Sequence, residues 1–271
     1  MKNVFYILTL VVLFSSCSDY QKLLKTESIA DKFKGGDSLY QLGKYEKANK
    51  LFAQIVPNYR GKPNAEKLMF LYSDTFFKMR DFYVAGYQFD KFVTNYPKSE
   101  KVDEAAFLSA KSTYKLSPFY TNDQKDTREA IEKLQNFINI YPNSKFVTEA
   151  NALVKELDLK LQKKAFAIAK QYKDIAPQFS KDFYAAIKSF DNFIFEFPGS
   201  ELREDAFFYK FEAAYQQATN SVEFKKKVRL EQAKEFYDAF IKAYPSSKYL
   251  SQAVLMVDVI DQSLKKYNTK S

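Results

Sequence analysis

The sequence predicts an all-α fold, a solenoid of about five helix pairs followed by a C-terminal capping helix. Helical periodicity dominates the chain after its N-terminus, and no Asn-Gly or Asp-Gly hairpin turn occurs. An eight-residue phrase also repeats, consisting of Phe, three residues, an aromatic residue, Pro, any residue and Ser. Its copies are FVTNYPKS at 92–99, FINIYPNS at 137–144, FIFEFPGS at 193–200 and FIKAYPSS at 240–247.

Each copy of the phrase is predicted to end one helix and to begin the next. Proline ends a helix because it lacks an N–H and restricts the residue before it. The Ser two residues later can cap the next helix by accepting a backbone N–H bond. An alanine lies 12 residues before each proline, as in the TPR spacing described next: Ala85 to Pro97, Ala130 to Pro142, Ala186 to Pro198 and Ala233 to Pro245.

The first pair, at about 29–58, shows what the helix pairs are. Gly36 and Ala48 are small where the two helices are expected to cross, Gly43 lies in the turn, and Phe52 is placed to fill the space between adjacent pairs. This order of residues is similar to the tetratricopeptide repeat (TPR). The repeat domain is therefore predicted over 28–271, with further pairs at about 64–97, 102–142, 147–198 and 202–245 and a cap at 249–266.

The repeats are longer than the minimal TPR of about 34 residues. Successive alanine positions are 37, 45, 56 and 47 residues apart. Because the second helices keep a constant length, the extra residues are expected in the first helices or in the turns after them. Loops are predicted at 117–124, 174–181 and 219–228. A basic run, Lys225 to Lys227 with Arg229, falls at the last of these and is expected to be solvated, or to meet an acidic partner or lipid head groups.

The N-terminus, MKNVFYILTLVVLFSSC, reads as a signal peptide over 1–16. Its apolar run is too short to span a bilayer as a transmembrane helix and has the length of a signal-peptide core. An ordinary secretory signal with an incidental Cys is one interpretation. The other is a bacterial lipoprotein signal, because Phe14-Ser15-Ser16-Cys17 resembles the lipobox and Cys17 is the single Cys of the chain. Cys17 is then the lipidation site, and 17–27 form the lipidated N-terminus and tether.

Composition excludes several classes of function. The chain has no His and a single Cys, so His-based acid–base catalysis, imidazole metal ligation and an internal disulfide are excluded. We expect no cofactor, no metal and no enzymatic activity, since no phosphate-binding or nucleophile-elbow motif occurs. The formal charge is +9, but 33 carboxylates are interspersed among the basic residues, so no nucleic-acid partner is expected.

The sequence resembles the BamD family of outer-membrane protein assembly lipoproteins. Four features together carry the resemblance: the lipobox, the TPR-like helix pairs, the Tyr-Pro-x-Ser boundaries and the chain length. The resemblance covers essentially the whole chain. It implies a lipid anchor in the outer membrane of a Gram-negative bacterium, on the periplasmic side. It also implies a complex with a BamA-like barrel protein and other assembly lipoproteins, and contact with unfolded barrel precursors. In that family the N-terminal repeats are implicated in substrate binding and the C-terminal repeats in the complex.

First helices line the inner surface of a TPR solenoid, so side chains there are candidates for a peptide groove. An extended, aromatic-rich peptide would suit their chemistry, with the aspartates holding polar groups. The alternative is that the rings are ordinary packing between helices. The candidates are Phe33, Asp37 and Tyr40 in repeat one, Phe70, Asp74 and Phe77 in repeat two, and Phe107, Lys111 and Tyr114 in repeat three.

Two other functions stay open at this stage. A lipid-anchored TPR module for glycan or nutrient uptake is one, although relatives of the SusD type are much longer and the Trp usual on sugar platforms is missing here. A TPR lipoprotein that coordinates cell-wall enzymes is the other. The co-purifying protein distinguishes them: a large barrel protein with periplasmic repeats, a TonB-dependent transporter, or cell-wall enzymes.

Overall fold

The computed structural model describes residues 19–59, 61–62, 64–179 and 183–268. The predicted signal peptide and Cys17 lie outside the described residues. The described chain is built of helices without strands, which confirms the all-α, TPR-like fold. None of the described helices combines the length and the apolar character that crossing a bilayer requires.

The helices follow one another in antiparallel pairs separated by short turns. Helix α1 covers residues 19–25. The remaining helices are α2 (Ile29–Gln41), α3 (Tyr45–Ile55) with a 3-10 turn (Val56–Asn58), α4 (Ala65–Lys78), α5 (Phe82–Asn95), α6 (Val102–Leu116), α7 (Lys125–Ile140), α8 (Val147–Phe179), α9 (Tyr184–Glu196), α10 (Arg203–Thr219), α11 (Glu223–Ala243) and α12 (Leu250–Asn268).

Part of the segment predicted as a tether is helical. Within α1, the Tyr20 hydroxyl donates to the Lys47 carbonyl at 3.5 Å, and the Lys47 ammonium lies 5.1 Å from the Tyr20 ring centroid. Leu23 packs so closely on α2 that a Cβ on Gly35 would come within 2.7 Å of it. Residues 19–25 are thus attached to the first helix pair.

The chain divides into two compact units. Unit 1 runs up to Pro118 and continues over Asp123–Leu157, and unit 2 comprises Phe119–Asn122 and Asp158–Ser271. The insertion predicted at 117–124 does separate α6 from α7. Its residues Phe119–Asn122 belong to unit 2, where the Lys164 ammonium donates to the Thr121 and Asn122 carbonyls at 3.3 and 2.8 Å.

Every copy of the repeated phrase forms the predicted joint. Helices α5, α7, α9 and α11 end immediately before the aromatic residue that precedes each proline. The phrase's first Phe is buried at each joint, being at most 3% exposed, and its carbonyl accepts the N–H of the following aromatic residue. The rings of the first Phe and of the aromatic residue also pack as tilted pairs, at centroid distances of 5.2 to 6.4 Å. Aromatic packing therefore closes each second helix where proline stops it.

The Ser of the joint makes two kinds of hydrogen bond. Its hydroxyl accepts a backbone N–H two residues on, as for Phe146 onto Ser144 at 3.3 Å. At three joints it also donates to a carboxylate in the first turn of the preceding repeat's first helix, a contact that the sequence did not predict. These pairs are Ser99 with Glu66 at 2.5 Å, Ser144 with Asp103 at 2.7 Å and Ser247 with Glu204 at 2.6 Å.

The small residues lie where the helices of a pair cross, as predicted. A Cβ on Gly36 would come within 2.5 Å of the Phe52 ring, so α2 and α3 approach as closely as they do only with glycine there. The register alanines of the second helices are at most 1% exposed. They are Ala48, Ala85, Ala130, Ala186 and Ala233.

Two predicted loops are largely helical, which corrects the sequence interpretation. Helix α8 continues to Phe179 through Pro177 instead of giving way to a loop at 174. Pro177 removes one helical hydrogen bond, but its neighbour Ala176 is only 3% exposed in the core of unit 2, and that packing favours the helix. Only 180–182 in this stretch fall outside the described residues.

The predicted loop at 219–228 is also short, because α11 begins at Glu223. Helix α11 packs through Leu230 and Ala233, which are both fully buried in the core of unit 2. A hydrogen bond from the Tyr267 hydroxyl to Glu223, at 2.6 Å, holds its first turn. The basic run therefore lies on the first two turns of a helix. Helix α12 covers the core of unit 2 with Ala253, Val257 and Ile260.

Candidate functional site

An open groove of about 650 Å³ lies among the first helices of unit 1. We call it the N-terminal groove. Phe70 lies at its wall and packs edge-on against Phe89 and Phe92, at ring-centroid distances of 5.8 and 5.5 Å. The Lys101 ammonium lies 5.3 Å from the Phe70 ring centroid. The lining residues are Tyr40, Asn64, Glu66, Lys67, Phe70, Leu71, Phe92, Lys101 and Glu104.

Two of the predicted groove residues, Tyr40 and Asp74, form a pair. The Tyr40 hydroxyl donates a short hydrogen bond to the Asp74 carboxylate, which is only 4% exposed, and the Lys78 ammonium lies 3.9 Å from it. Burial raises the pKa of Asp74, while the Tyr40 hydrogen bond and Lys78 oppose that rise. Burial and the bond to Asp74 raise the pKa of Tyr40. Tyr40 thus lines the groove, and Asp74 fixes its position from beneath.

Asp37 and Phe33 act on the groove through Lys67. The Lys67 ammonium lies 2.6 Å from an Asp37 carboxylate oxygen and 5.7 Å from the Phe33 ring centroid. Phe33 itself stacks on Tyr59 at 5.7 Å. Both residues therefore orient a lysine of the groove, and they are not among its lining residues.

The remaining candidates are engaged in helix packing. Phe77 packs edge-on against Phe82 at 5.4 Å. Phe107 is 1% exposed and stacks on Phe146 at 4.8 Å. The Tyr114 hydroxyl bonds both Glu156 carboxylate oxygens at 2.9 Å, and burial together with this bond raises the pKa of Tyr114 to about 12.

Lys111 pairs with Glu149 at 2.6 Å. The structure thus brings Tyr40 and Phe70 together at the groove and places the repeat-three candidates elsewhere in unit 1.

Sequence reasoning missed the charged side chains of the groove. Lys67 precedes Phe70 by three residues and Glu104 precedes Phe107 by three, so both share a helix face with a predicted ring. Lys101 forms an ion pair with Glu104 at 2.7 Å. The i, i+3 spacing from each ring was the available signal, but charged residues are common on exposed helix faces.

A second cavity, of about 1040 Å³, lies between α3, α4 and α5 in unit 1. Tyr72, Tyr87 and Tyr96 line it, and the Lys91 ammonium lies 4.4 Å from the Tyr87 ring centroid. Asp90 at its rim is already bound by the Ser109 hydroxyl at 2.5 Å and by Lys133 at 3.0 Å. Among the described residues, no group of three or more carboxylates is arranged to hold a metal ion.

The fold and the groove define a class of protein: an all-α protein of TPR-like helix pairs with an aromatic, lysine-bordered groove in its N-terminal repeats. The family model of YfiO, described as an outer membrane lipoprotein, matches residues 26–179, more than half of the chain. The protein therefore belongs to the YfiO outer membrane lipoprotein family, which is the BamD family. A comparison with curated proteins found no match.

Family membership confirms the predicted outer-membrane localisation and supports a role in outer-membrane assembly in broad terms. The match includes all of α2 to α8 and therefore the whole N-terminal groove. Members of the family are lipoprotein scaffolds without enzymatic activity.

Proposed function

We propose that the protein is a non-enzymatic scaffold of the β-barrel assembly machinery on the periplasmic side of the outer membrane. It binds unfolded barrel precursors in the N-terminal groove and a BamA-like barrel protein, with other assembly lipoproteins, through its C-terminal repeats. Lipidation at Cys17 anchors it. Family membership and the chemistry of the groove support this function.

The observation that carries the proposal is the position of the Phe70 ring in a groove that two lysines also line. The Phe70 ring offers an apolar surface, the Lys101 ammonium lies 5.3 Å from its centroid, and Lys67 lines the same groove. A chain end with an aromatic side chain and a free α-carboxylate fits this arrangement, because the ring can pack on Phe70 while the carboxylate meets a lysine. The C-terminal residue of barrel precursors is often aromatic.

The two lysines keep capacity for a ligand although each is ion-paired. Lys67 and Lys101 are 52% and 53% exposed, with Asp37 and Glu104 as their partners. An ammonium has three N–H donors, so one carboxylate does not use all of them. Asp37 holds Lys67 over the Phe33 ring, and Glu104 holds Lys101 over the Phe70 ring. Because both lysines are held in place before the peptide binds, less side-chain entropy is lost on binding.

The test uses a synthetic peptide from the C-terminus of a barrel protein, ending in Phe with a free carboxylate. Lys101→Glu is expected to weaken binding about tenfold or more, because it replaces an attraction for the carboxylate by a repulsion. Lys98→Glu, at an exposed position three residues earlier, is the matched control. Calorimetry on both variants and on the amidated peptide measures the effect. Equal affinity of wild type and Lys101→Glu would refute binding at this groove.

The C-terminal helix supports the partner part of the proposal. Leu255 is 70% exposed and Val259 40%, one turn apart on the face of α12 that points away from Ala253 and Ile260. Val254, 39% exposed, lies about 100° further round the helix than Leu255. An exposed aliphatic stripe of this kind is typical of a protein–protein contact. We assign it to the barrel protein.

Affinity purification from detergent-solubilised membranes tests this assignment. Wild type is expected to retain a large barrel protein with periplasmic repeats, and Leu255→Glu to lose it because a charge is placed in an apolar contact. Leu42→Glu, at a residue 68% exposed in unit 1, is the control. Recovery of only a TonB-dependent transporter would favour a role in nutrient uptake. Recovery of only cell-wall enzymes would favour a role in coordinating those enzymes.

A further inference from the structure

The first two turns of α11 expose apolar side chains among lysines. Phe224 is 80% exposed, Val228 67% and the capping residue Val222 57%. Phe224 and Val228 are four residues apart and so lie on the same face of the helix. We call these three residues, with the exposed Lys225 and Lys227, the α11 patch.

The patch points away from the core of unit 2. Leu230 and Ala233, which hold α11 in place, are fully buried and lie on the opposite side of the helix from Phe224 and Val228. Fold stability therefore does not explain why a ring and a branched aliphatic side chain stand in water here. Exposing them forgoes the free energy that burial of each would supply.

The charge around the patch is positive. The Lys225 ammonium lies 5.5 Å from the Phe224 ring centroid. The acidic residue of the segment, Glu223, accepts the Tyr267 hydroxyl at 2.6 Å. That contact brings the last turn of α12, with the exposed Lys265 and Lys266, to the same end of unit 2.

We propose that the α11 patch rests on a phospholipid surface. Phe224, Val222 and Val228 enter the boundary between head groups and acyl chains, and the lysines reach anionic phosphates, as basic amphipathic helices do. The outer-membrane localisation keeps such a surface close to the protein. A lysine-rich patch favours lipid over an acidic protein, because protein–protein interfaces are depleted in lysine.

The experiment uses full-length protein reconstituted into vesicles of phosphatidylethanolamine and phosphatidylglycerol. An environment-sensitive fluorophore is attached to Val222→Cys, and quenching by doxyl-labelled lipids is measured. Phe195→Cys, at a residue 86% exposed in the same unit, is the matched control, and the wild-type chain reports any labelling of Cys17. We expect a blue-shifted, quenched fluorophore at 222 and an unquenched one at 195. Equal quenching at the two positions would overturn the proposal.

The charge dependence supplies a second test in the same vesicles. Lys225→Gln and Lys227→Gln are each expected to lower the equilibrium constant of patch contact about fivefold, since one basic residue near an anionic surface contributes about 1 kcal/mol. Omitting phosphatidylglycerol is expected to lower the quenching too. Quenching that stays the same in the two lysine variants and without phosphatidylglycerol would contradict the proposal. So would a spectral shift that appears only on adding an acidic soluble protein.

Discussion

The first helices of the two units bury different sets of side chains. In unit 1, α4 buries Ser73, Asp74 and Thr75, and α6 buries a comparable set of hydroxyls. In unit 2, α10 buries mainly rings and alanines, among them Phe208 and Phe211. First helices of unit 1 thus bury several polar side chains together with their apolar ones, whereas α10 of unit 2 buries almost only apolar side chains.

The N-terminal groove lies in unit 1, the unit whose first helices bury polar side chains. Several of the polar bonds of unit 1 join neighbouring helices, such as Tyr40 to Asp74 and the Asn49 amide to Thr75 at 2.8 Å. Hydrogen bonds fix the relative position of two helices more narrowly than apolar packing, because their strength depends on angle as well as distance. If the groove holds a peptide end, as proposed, that restriction keeps its wall in place before the peptide binds. Unit 2 has inter-helix bonds as well, such as that from the Lys173 ammonium to Glu212 at 2.7 Å, but its helix α10 buries mainly apolar side chains.

The largest expected change in stability comes from a substitution in the apolar core of unit 2. Phe240→Ala removes a fully buried ring that contacts Phe208 at 5.9 Å, and is expected to cost about 3–5 kcal/mol of unfolding free energy. Hydrogen exchange of the α10 amides measures it. Phe195→Ala, at an exposed position, is the control and should stay within about 0.5 kcal/mol. A cost below about 1 kcal/mol for Phe240→Ala would contradict apolar packing as the main support of unit 2.

The next effect is on the polar side. Tyr40→Phe leaves the buried Asp74 carboxylate without its hydroxyl donor, and is expected to cost about 1–3 kcal/mol at neutral pH. Hydrogen exchange of the α4 amides reports the change. Tyr45→Phe, on the ring that packs edge-on against Tyr40 at 5.4 Å, serves as the neighbouring control. Equal protection of α4 in both variants would mean that the Tyr40 bond does not hold this helix.

The pH dependence of unit 1 follows from the raised pKa of Asp74. Because burial raises this pKa in the folded protein, the fold binds the proton more tightly than the unfolded chain does. The resulting stabilisation is complete below the unfolded pKa of about 3.9 and is lost as the pH rises through the folded pKa. Relative to Asp74→Asn, wild type should therefore lose stability between acidic and neutral pH. Urea unfolding of both proteins over this range checks it, and parallel curves would argue against the shift.

The smallest expected effect is one in which the two units should agree. Ser144→Ala in unit 1 and Ser247→Ala in unit 2 each remove a bond to a carboxylate of the preceding repeat and the bond accepted from a backbone N–H two residues on, at a cost of about 1–2 kcal/mol. Ser246→Ala, next to Ser247 and exposed, is the control. Urea unfolding compares the three. A clear difference between the first two would show that the joints, and not only the first helices, distinguish the units.

The sequence predicted the parts of the fold that local chemistry determines. Proline, the ring before it and Ser act within a few residues of one another, so each joint was predicted at its observed position. The predicted C-terminal end of α8 and the predicted start of α11 were wrong for the opposite reason. Burial of Ala176 and Leu230 by distant helices favours helix where the spacing of the repeats had indicated loops.

The groove was predicted in outline only. Tyr40 and Phe70 were found because TPR geometry assigns their positions to the first-helix face. The bond from Tyr40 to Asp74 joins residues 34 apart, and no local pattern reports such a pair. Lys67 and Lys101 look in sequence like any other exposed lysine, since only the fold places them beside a ring.

The bond from Ser99, Ser144 and Ser247 back to the preceding repeat has a consequence for how such arrays change length. The bonded residues are 33 apart at Ser99, 41 at Ser144 and 43 at Ser247, yet the contact is the same. The joint thus fixes both ends of a repeat and leaves the chain between them free to lengthen. Segments such as 117–124 are therefore natural points for grafting new sequence, where a protein can acquire a contact without altering the alignment of its neighbours.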